Sequence, residues 1–490
     1  MITWEENALR PRSRFIPPIL FFATVLALGG CVTPETPEET VRPSLGAPTR
    51  VLGGPLPPGC DESRAAVTHT FDAVARNIDI SGAVGCITTT QWVSAEPTIG
   101  FTSQGTLYLF PAALRTLDAP PEYQLRDLGL AQSLDQGASW NRIQPRAGPA
   151  NWHSTTLDPF LYIDPTTNRI FLDDLVGPCS FFSFSDDEGR TWTNSAAGCV
   201  AADHQSIAAG PPVTSRPTGY PNIVYRCAIN YGAIQQSHGS NCQKSLDGGF
   251  TWQPPGGPSY LFGPDGEPYQ PGECDGLHHH PTVDHRGWLW VPRGWCGVPY
   301  VAISKDEGAT FTRHEISKTG ALGHDAGVAI DPSGIAYYFW IGPEGRPLLS
   351  ISKDDAQSWS APRDVAPDGV TAAGMPNVRA GAPGKIAISY LANFGDEQVH
   401  SVITAGYNMG SNEPVFLTVI ANAADQPVAS GPCNGARCPG QYDFLGMAIS
   451  PDGTPWMSVV SQDYLGAARL FGAPSLWDVA DPNGPYKDDG

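Results

Sequence analysis

The chain is 490 residues long, with 49 acidic against 29 basic side chains and a net charge of −20. That balance excludes a nucleic-acid partner, because phosphate recognition needs a basic stripe. With 54 glycines, 48 prolines and 13 tryptophans, the composition is that of a large, loop-rich soluble protein.

In chain order, Arg10, Arg12 and Arg14 precede the apolar run FIPPILFFATVLALGG, which ends at Cys31. The run is too short for a comfortable membrane span, so residues 1–30 read as an export signal. Leu28-Gly29-Gly30-Cys31 resembles the lipobox of bacterial lipoproteins. The resemblance makes Cys31 the lipidated first residue of a secreted, membrane-anchored, extracytoplasmic protein; an ordinary secretory signal with an incidental cysteine is the alternative. Residues 31–59, rich in Pro, Thr and Glu, are expected to form a disordered tether. Setting Cys31 aside leaves ten cysteines in near-neighbour pairs: Cys60/Cys86, Cys179/Cys199, Cys227/Cys242, Cys274/Cys296 and Cys433/Cys438. They suit disulfides in an oxidising compartment. Zinc ligation ranks below, since no C-x-x-C pair occurs.

From residue 60 onward a strand–turn–strand unit recurs at 97–110, 161–172, 206–227, 281–292, 327–340, 377–391 and 446–460. The first five units are each followed by a second pattern: SLDQGASW (133–140), SDDEGRTW (185–192), SLDGGFTW (245–252), SKDEGATF (304–311) and SKDDAQSW (352–359). Its Ser closes a strand, its Asp accepts backbone N–H bonds across a tight turn, and its Gly supplies a positive φ. The fifth copy has Ala356 in place of that Gly, so its turn is expected to be the most strained. Four-stranded units repeated at this period predict an all-β fold, a β-propeller over residues 60–490 with seven blades, six being the alternative. A strand from 66–72 is a candidate to close the ring. Asp135, Asp187, Asp247, Asp306 and Asp354 are then structural turn residues.

Propeller geometry gathers the residues just before the first strands around one axial mouth. These are Glu96, Asp203-His204, His278-His279-His280, His324-Asp325 and Tyr442-Asp443, with Asn151-Trp152-His153 less clearly in register. Ends of second strands add Asp173, Asp174, Arg226, Arg293, Trp340, and Tyr390 with Asn393; Arg379 lies on a first strand. Two chemistries fit this set. His204, His279 and His324 with carboxylates would hold a divalent metal that activates water. Alternatively, Arg226, Arg293 and Arg379 with Trp340 would bind an anionic substrate, while Asp203, Asp325, Asp443, Glu96 or Tyr390 perform proton transfer and nucleophilic attack.

The five eight-residue turns resemble the Asp-box, or bacterial neuraminidase repeat, and with the propeller period the chain resembles the sialidase superfamily. DHQSIAAGPP, CQKSLDGGFTW, CDGLHHHPTVD and HDAGVAIDPSG carry a further likeness to secreted bacterial sialidase-family proteins. The resemblance implies hydrolysis of a terminal sialic acid, with three arginines on the carboxylate, a Tyr–Glu nucleophile pair and an aspartic acid. It implies no required cofactor. The family's Arg-Ile-Pro motif is missing, since the first strand reads EPTIGF; Arg142-Ile143 follows the first box and continues Gln144-Pro145. Three functions therefore stand open: an exo-glycosidase for sialic acid or another acidic sugar, a metal-dependent hydrolase or lyase, and a non-catalytic propeller. The partner expected is an extracellular glycan or glycoconjugate, met by a lipid-anchored monomer.

Overall fold

In a computed structural model, the structure describes residues 56–69, 82–112, 129–145, 158–176, 179–199, 202–230, 239–261, 277–323 and 325–477. The proposed signal, Cys31 and most of the tether lie outside the described residues, as do Asn151, Trp152, His153 and His324.

The described residues form strands and turns arranged as seven antiparallel four-stranded blades. The first six blades are meanders in chain order, as in Pro159–Ile163, Ile170–Val176, Cys179–Ser185 and Thr193–Cys199. The seven first strands begin at Thr98, Pro159, Ala202, Thr282, Ala326, Ala372 and Met447. Each touches the next, and the seventh returns to the first, so they ring a central axis. Apolar residues on both faces of the inner strands pack blade against blade. Phe339, Val378, Ile388 and Tyr390 fill one such interface. Because every blade is covered by two neighbours, these strands read as nearly continuous apolar runs rather than alternating ones.

The ring closes differently from the expectation. Val84–Val93, not 66–72, pairs with Tyr464–Phe471 and completes the seventh blade. Its burial alternates from Cys86 to Trp92, as a strand with one face on the core should. Cys60–His69 is an additional strand lying between that closing strand and Val415–Ile420 of the sixth blade. Disulfides join Cys60 to Cys86, Cys227 to Cys242 and Cys433 to Cys438, the near-neighbour pairings expected. Cys179 and Cys296 are disulfide-bonded as well.

The five repeated turns share one hydrogen-bond pattern. In the second, Ser185 Oγ donates to Asp187 Oδ1 at 2.9 Å and accepts from the Gly189 amide at 2.9 Å. Thr191 donates its amide and hydroxyl to the two oxygens of Asp187 at 2.8 and 2.7 Å. Asp135, Asp247, Asp306 and Asp354 repeat these contacts with Ser139, Thr251, Thr310 and Ser358. Ala356 keeps the turn's positive φ, at 65°, a conformation that costs a residue with a Cβ about 1–2 kcal/mol.

The residue after each turn's Asp also reaches the preceding blade. Glu188 accepts from Thr102 and Tyr108, Asp355 from Arg286, and Gln136 from Arg469 of the seventh blade. The Gly248 carbonyl accepts from Arg169. Glu307 is the strongest case: it accepts three backbone amides, Val213, Thr214 and Ser215, at 2.7–2.9 Å, and pairs with Lys244 at 3.0 Å. The turn motif thus closes its own hairpin and ties neighbouring blades together.

Candidate active site

One register position carries most of the chemistry. Six residues before the turn that ends each first strand stand Glu96, Asp158, His204, His278, Asp325, Met375 and Phe444. Three of these have a positive φ: Glu96 at 50°, His204 at 49° and Met375 at 60°. The strands bearing His204 and Met375 slip register there, between Asp203 and Ser206 and between Gly374 and Asn377. Such bulges re-aim a side chain, and backbone strain of this kind costs about 1–3 kcal/mol per residue and clusters at functional sites.

Three carboxyl groups meet at the axis. Glu96, Asp158 and Asp443 each bring an oxygen to within 4.8 Å of the others. The Asp443 amide donates to Glu96 Oε1 at 2.9 Å, which locks the seventh-blade loop onto the first blade. The His204 amide donates to Asp158 Oδ2 and Asp203 Oδ1, both at 3.1 Å. Its ring Nε2 lies 3.3 Å from Asp443 Oδ2. Arg437 pairs with Asp443 through Nη1, and its Nε is 3.8 Å from Asp325 Oδ2. Glu96 and Asp158 are 6% exposed, whereas the Asp443 and Arg437 side chains are each 34% exposed. A buried layer of carboxyls therefore lies beneath a solvent-facing ion pair.

The burial sets the protonation. Glu96 is pushed up from 4.5 to about 8, by desolvation first and then by the charge of Asp158. Asp158 rises to about 7, through burial and the hydrogen bond it shares with Asp203. Burial also raises Asp325. Burial alone would lower His204, but the hydrogen bond to Asp443 and the charges of Asp325, Asp158 and Asp203 outweigh it and raise the imidazole to about 9. At neutral pH the mouth thus holds a protonated Glu96 beside an imidazolium.

Rings from three blades pack together beside this layer, where Phe444 also meets the His204 ring edge-on at 5.9 Å. His280 packs edge-on against Phe160 at 4.8 Å and Phe444 at 5.5 Å, and stacks on His279 at 4.1 Å. Burial, then the neighbouring His279, pushes the His280 imidazole well below its ordinary value. The charge of the buried Arg379 adds to that lowering, so His280 sits among rings beside a buried cation.

Among the sequence-derived candidates, Glu96, Asp203, His204, Asp325 and Asp443 come together, with His279 near Asp325. The arginines do not join them. Arg226 is buried against Asp173 at 2.6 Å and Ser180. Arg293 is buried facing the ring of Tyr260 at 5.2 Å. Arg379 donates to the carbonyls of Met447 and Val378. Tyr390 and Trp340 pack in cores between blades, Tyr390 against Phe339 and Trp340 with its Nε1 on the Gly320 carbonyl, because both faces of a second strand are covered by neighbouring blades. Two mouth residues were missed from sequence, Asp158 and Arg437. Asp158-Pro159 has the same spacing before its turn as Glu96-Pro97, a signal that favours it over Asn151–His153. Arg437 lies in no repeat; it sits in the loop closed by Cys433–Cys438. Asn393 anchors that loop by accepting the Cys433 amide at 2.8 Å.

No protein-family model and no curated protein matches the chain. Solved structures do match. A protein of unknown function from Dyadobacter fermentans is 12% identical, with 80% of this chain and 99% of that one covered, at a TM-score of 0.42. The intramolecular trans-sialidase of Ruminococcus gnavus is 14% identical, with 78% and 95% covered, at 0.39. An α-L-arabinofuranosidase of Fusarium graminearum is 15% identical, with 67% and 93% covered, at 0.41. The β-propeller itself is shown by the seven four-stranded blades and their closed ring of first strands.

Proposed function

We propose that the chain hydrolyses a glycosidic bond at the axial mouth, with Glu96 as general acid and Asp443 as the carboxylate that meets the anomeric carbon. The observation that carries this reading is the juxtaposition of a buried carboxyl raised to about 8 with a part-exposed carboxylate facing two cations, Arg437 and His204. Glycoside hydrolysis needs such a pair with divergent environments. Their oxygens lie within 4.8 Å, near the roughly 5 Å separation of retaining enzymes rather than the wider gap that admits a water. Glu96 would give its proton to the glycosidic oxygen as the C–O bond breaks, and Asp443 would bond the anomeric carbon. Water, deprotonated by the Glu96 carboxylate, would then release the sugar and restore both groups.

The mouth does not favour an acidic sugar held by an arginine triad, because Arg226, Arg293 and Arg379 are engaged elsewhere. Arg437 is the arginine that the described mouth offers. A second reading rests on the same three oxygens: they suit a hard divalent cation, with His204 alongside rather than a histidine set. The disulfides support an oxidising compartment, and with the Cys31 lipobox they support a protein tethered outside the cytoplasm.

The test is sugar release from a fluorogenic panel of sialosides, uronides and neutral glycosides, with and without EDTA. Chelator-resistant release that Glu96→Gln abolishes supports the acid–base pair. Release that EDTA stops and Mg²⁺ or Ca²⁺ restores would transfer the carboxyls to the metal reading. Oligosaccharide binding without release from any glycoside would leave a binding propeller.

A further inference from the structure

The geometry points to Tyr442 as a sugar-stacking platform on the rim of the mouth, a role that rests on the glycan reading above and adds a binding residue to it. Tyr442 is 66% exposed, and among the described residues the other large exposed apolar side chains are Leu134, Val213 and Phe250. Leu134 and Phe250 belong to the repeated turns and Val213 to the loop held by Glu307, on the face of the ring away from the mouth. Tyr442 instead adjoins Asp443, whose side chain is in the mouth.

Its backbone explains the exposure. Tyr442 has φ 64°, the left-handed region that a residue with a bulky side chain occupies at a cost of about 1–2 kcal/mol. Both neighbours enforce that geometry. Gln441 is fully buried, donating Nε2 to the Val460 carbonyl at 2.7 Å and accepting the Val460 amide at 2.9 Å. On the other side, the Asp443 amide is fixed to Glu96 at 2.9 Å. With both flanks held, the ring is presented to solvent on a rigid stem. Glycine or asparagine would fill this position with less strain, so the aromatic ring is not there to stabilise the turn. An exposed, pre-oriented phenol has a π-face for the C–H groups of a pyranose and a hydroxyl for its rim, and ordering it on binding costs little entropy.

The test is calorimetric titration of Glu96→Gln protein, which cannot turn substrate over, with a panel of neutral and sialylated oligosaccharides. Tyr442→Ala, made in that background, is expected to lose at least tenfold in affinity for whichever oligosaccharide binds. Tyr442→Phe should stay within about threefold, because it keeps the ring. Tyr442→Gly should lose binding as Ala does while melting no lower than the parent, separating the platform role from a folding role. Unchanged affinity in Tyr442→Ala, with the parent binding, overturns the platform alone. No binding by the parent to any member of the panel overturns the glycan reading together with it.

Discussion

Glu96→Gln separates the burial of this carboxyl from its proton. The amide keeps the oxygen that accepts the Asp443 N–H at 2.9 Å and is uncharged at every pH. In the parent the carboxyl is raised from 4.5 to about 8, so between those values the native state keeps a proton that the unfolded chain has released. Stability from this group is fully present below pH 4.5, falls by about 1.4 kcal/mol per pH unit across the window, and is gone above pH 8. Over the whole window that slope amounts to about 5 kcal/mol. Asp158, raised to about 7, and His204, raised to about 9, drive stability in the same direction. In urea titrations at pH 5, 6.5 and 8, Glu96→Gln should match the parent near pH 5 and exceed it by about 3–5 kcal/mol at pH 8. A constant difference between the two proteins across that range would refute the buried, protonated Glu96, and with it the acid on which the proposed hydrolysis depends.

Two further variants divide the site from the scaffold. Arg437→Gln removes the cation paired with Asp443 and Asp325; sugar release should fall at least a hundredfold, and Arg437→Lys should recover part of it, as read by kcat and KM separately. Glu307→Ala orphans three backbone amides and removes the ion-pair partner of Lys244, costing about 3 kcal/mol in urea at pH 7 with sugar release and KM unchanged. Its pH dependence is opposite to that of Glu96. The Glu307 carboxyl is buried, yet the donors from Ser215, Thr214 and Lys244 overcome that and lower it from 4.5 to about 2. The parent's advantage is therefore complete above pH 4.5 and lost as the pH falls through 2.

The blades were legible because their signals are local. Apolar strands alternate with Asp-Pro and Gly turns every few tens of residues, and the five Asp turns need only an eight-residue window. The closing strand is Val84–Val93 rather than the candidate 66–72: both precede the first blade, and the alternating burial of VGCITTTQWV marks the one that seats against the core. The mouth was legible in the part that follows the repeat. Glu96, His204 and Asp325 share one register, and Asp158 would have been found by holding to it. The arginine cluster failed because charge alone does not say which neighbour a side chain meets. Arg226 meets Asp173 from the adjacent blade, a contact between residues far apart in sequence. Arg437 was out of reach for a related reason: its place depends on a disulfide-closed loop between the sixth and seventh blades, which carries no repeat at all.

The central claim is that Glu96 delivers a proton at the axial mouth, and the most direct test is sugar release by the purified protein followed from pH 5 to 10. With Glu96 as the acid, kcat/KM on a fluorogenic glycoside should fall along an alkaline limb near pH 8, and Glu96→Gln should be inactive throughout. Release that continues undiminished to pH 10, or that survives Glu96→Gln, would contradict the account.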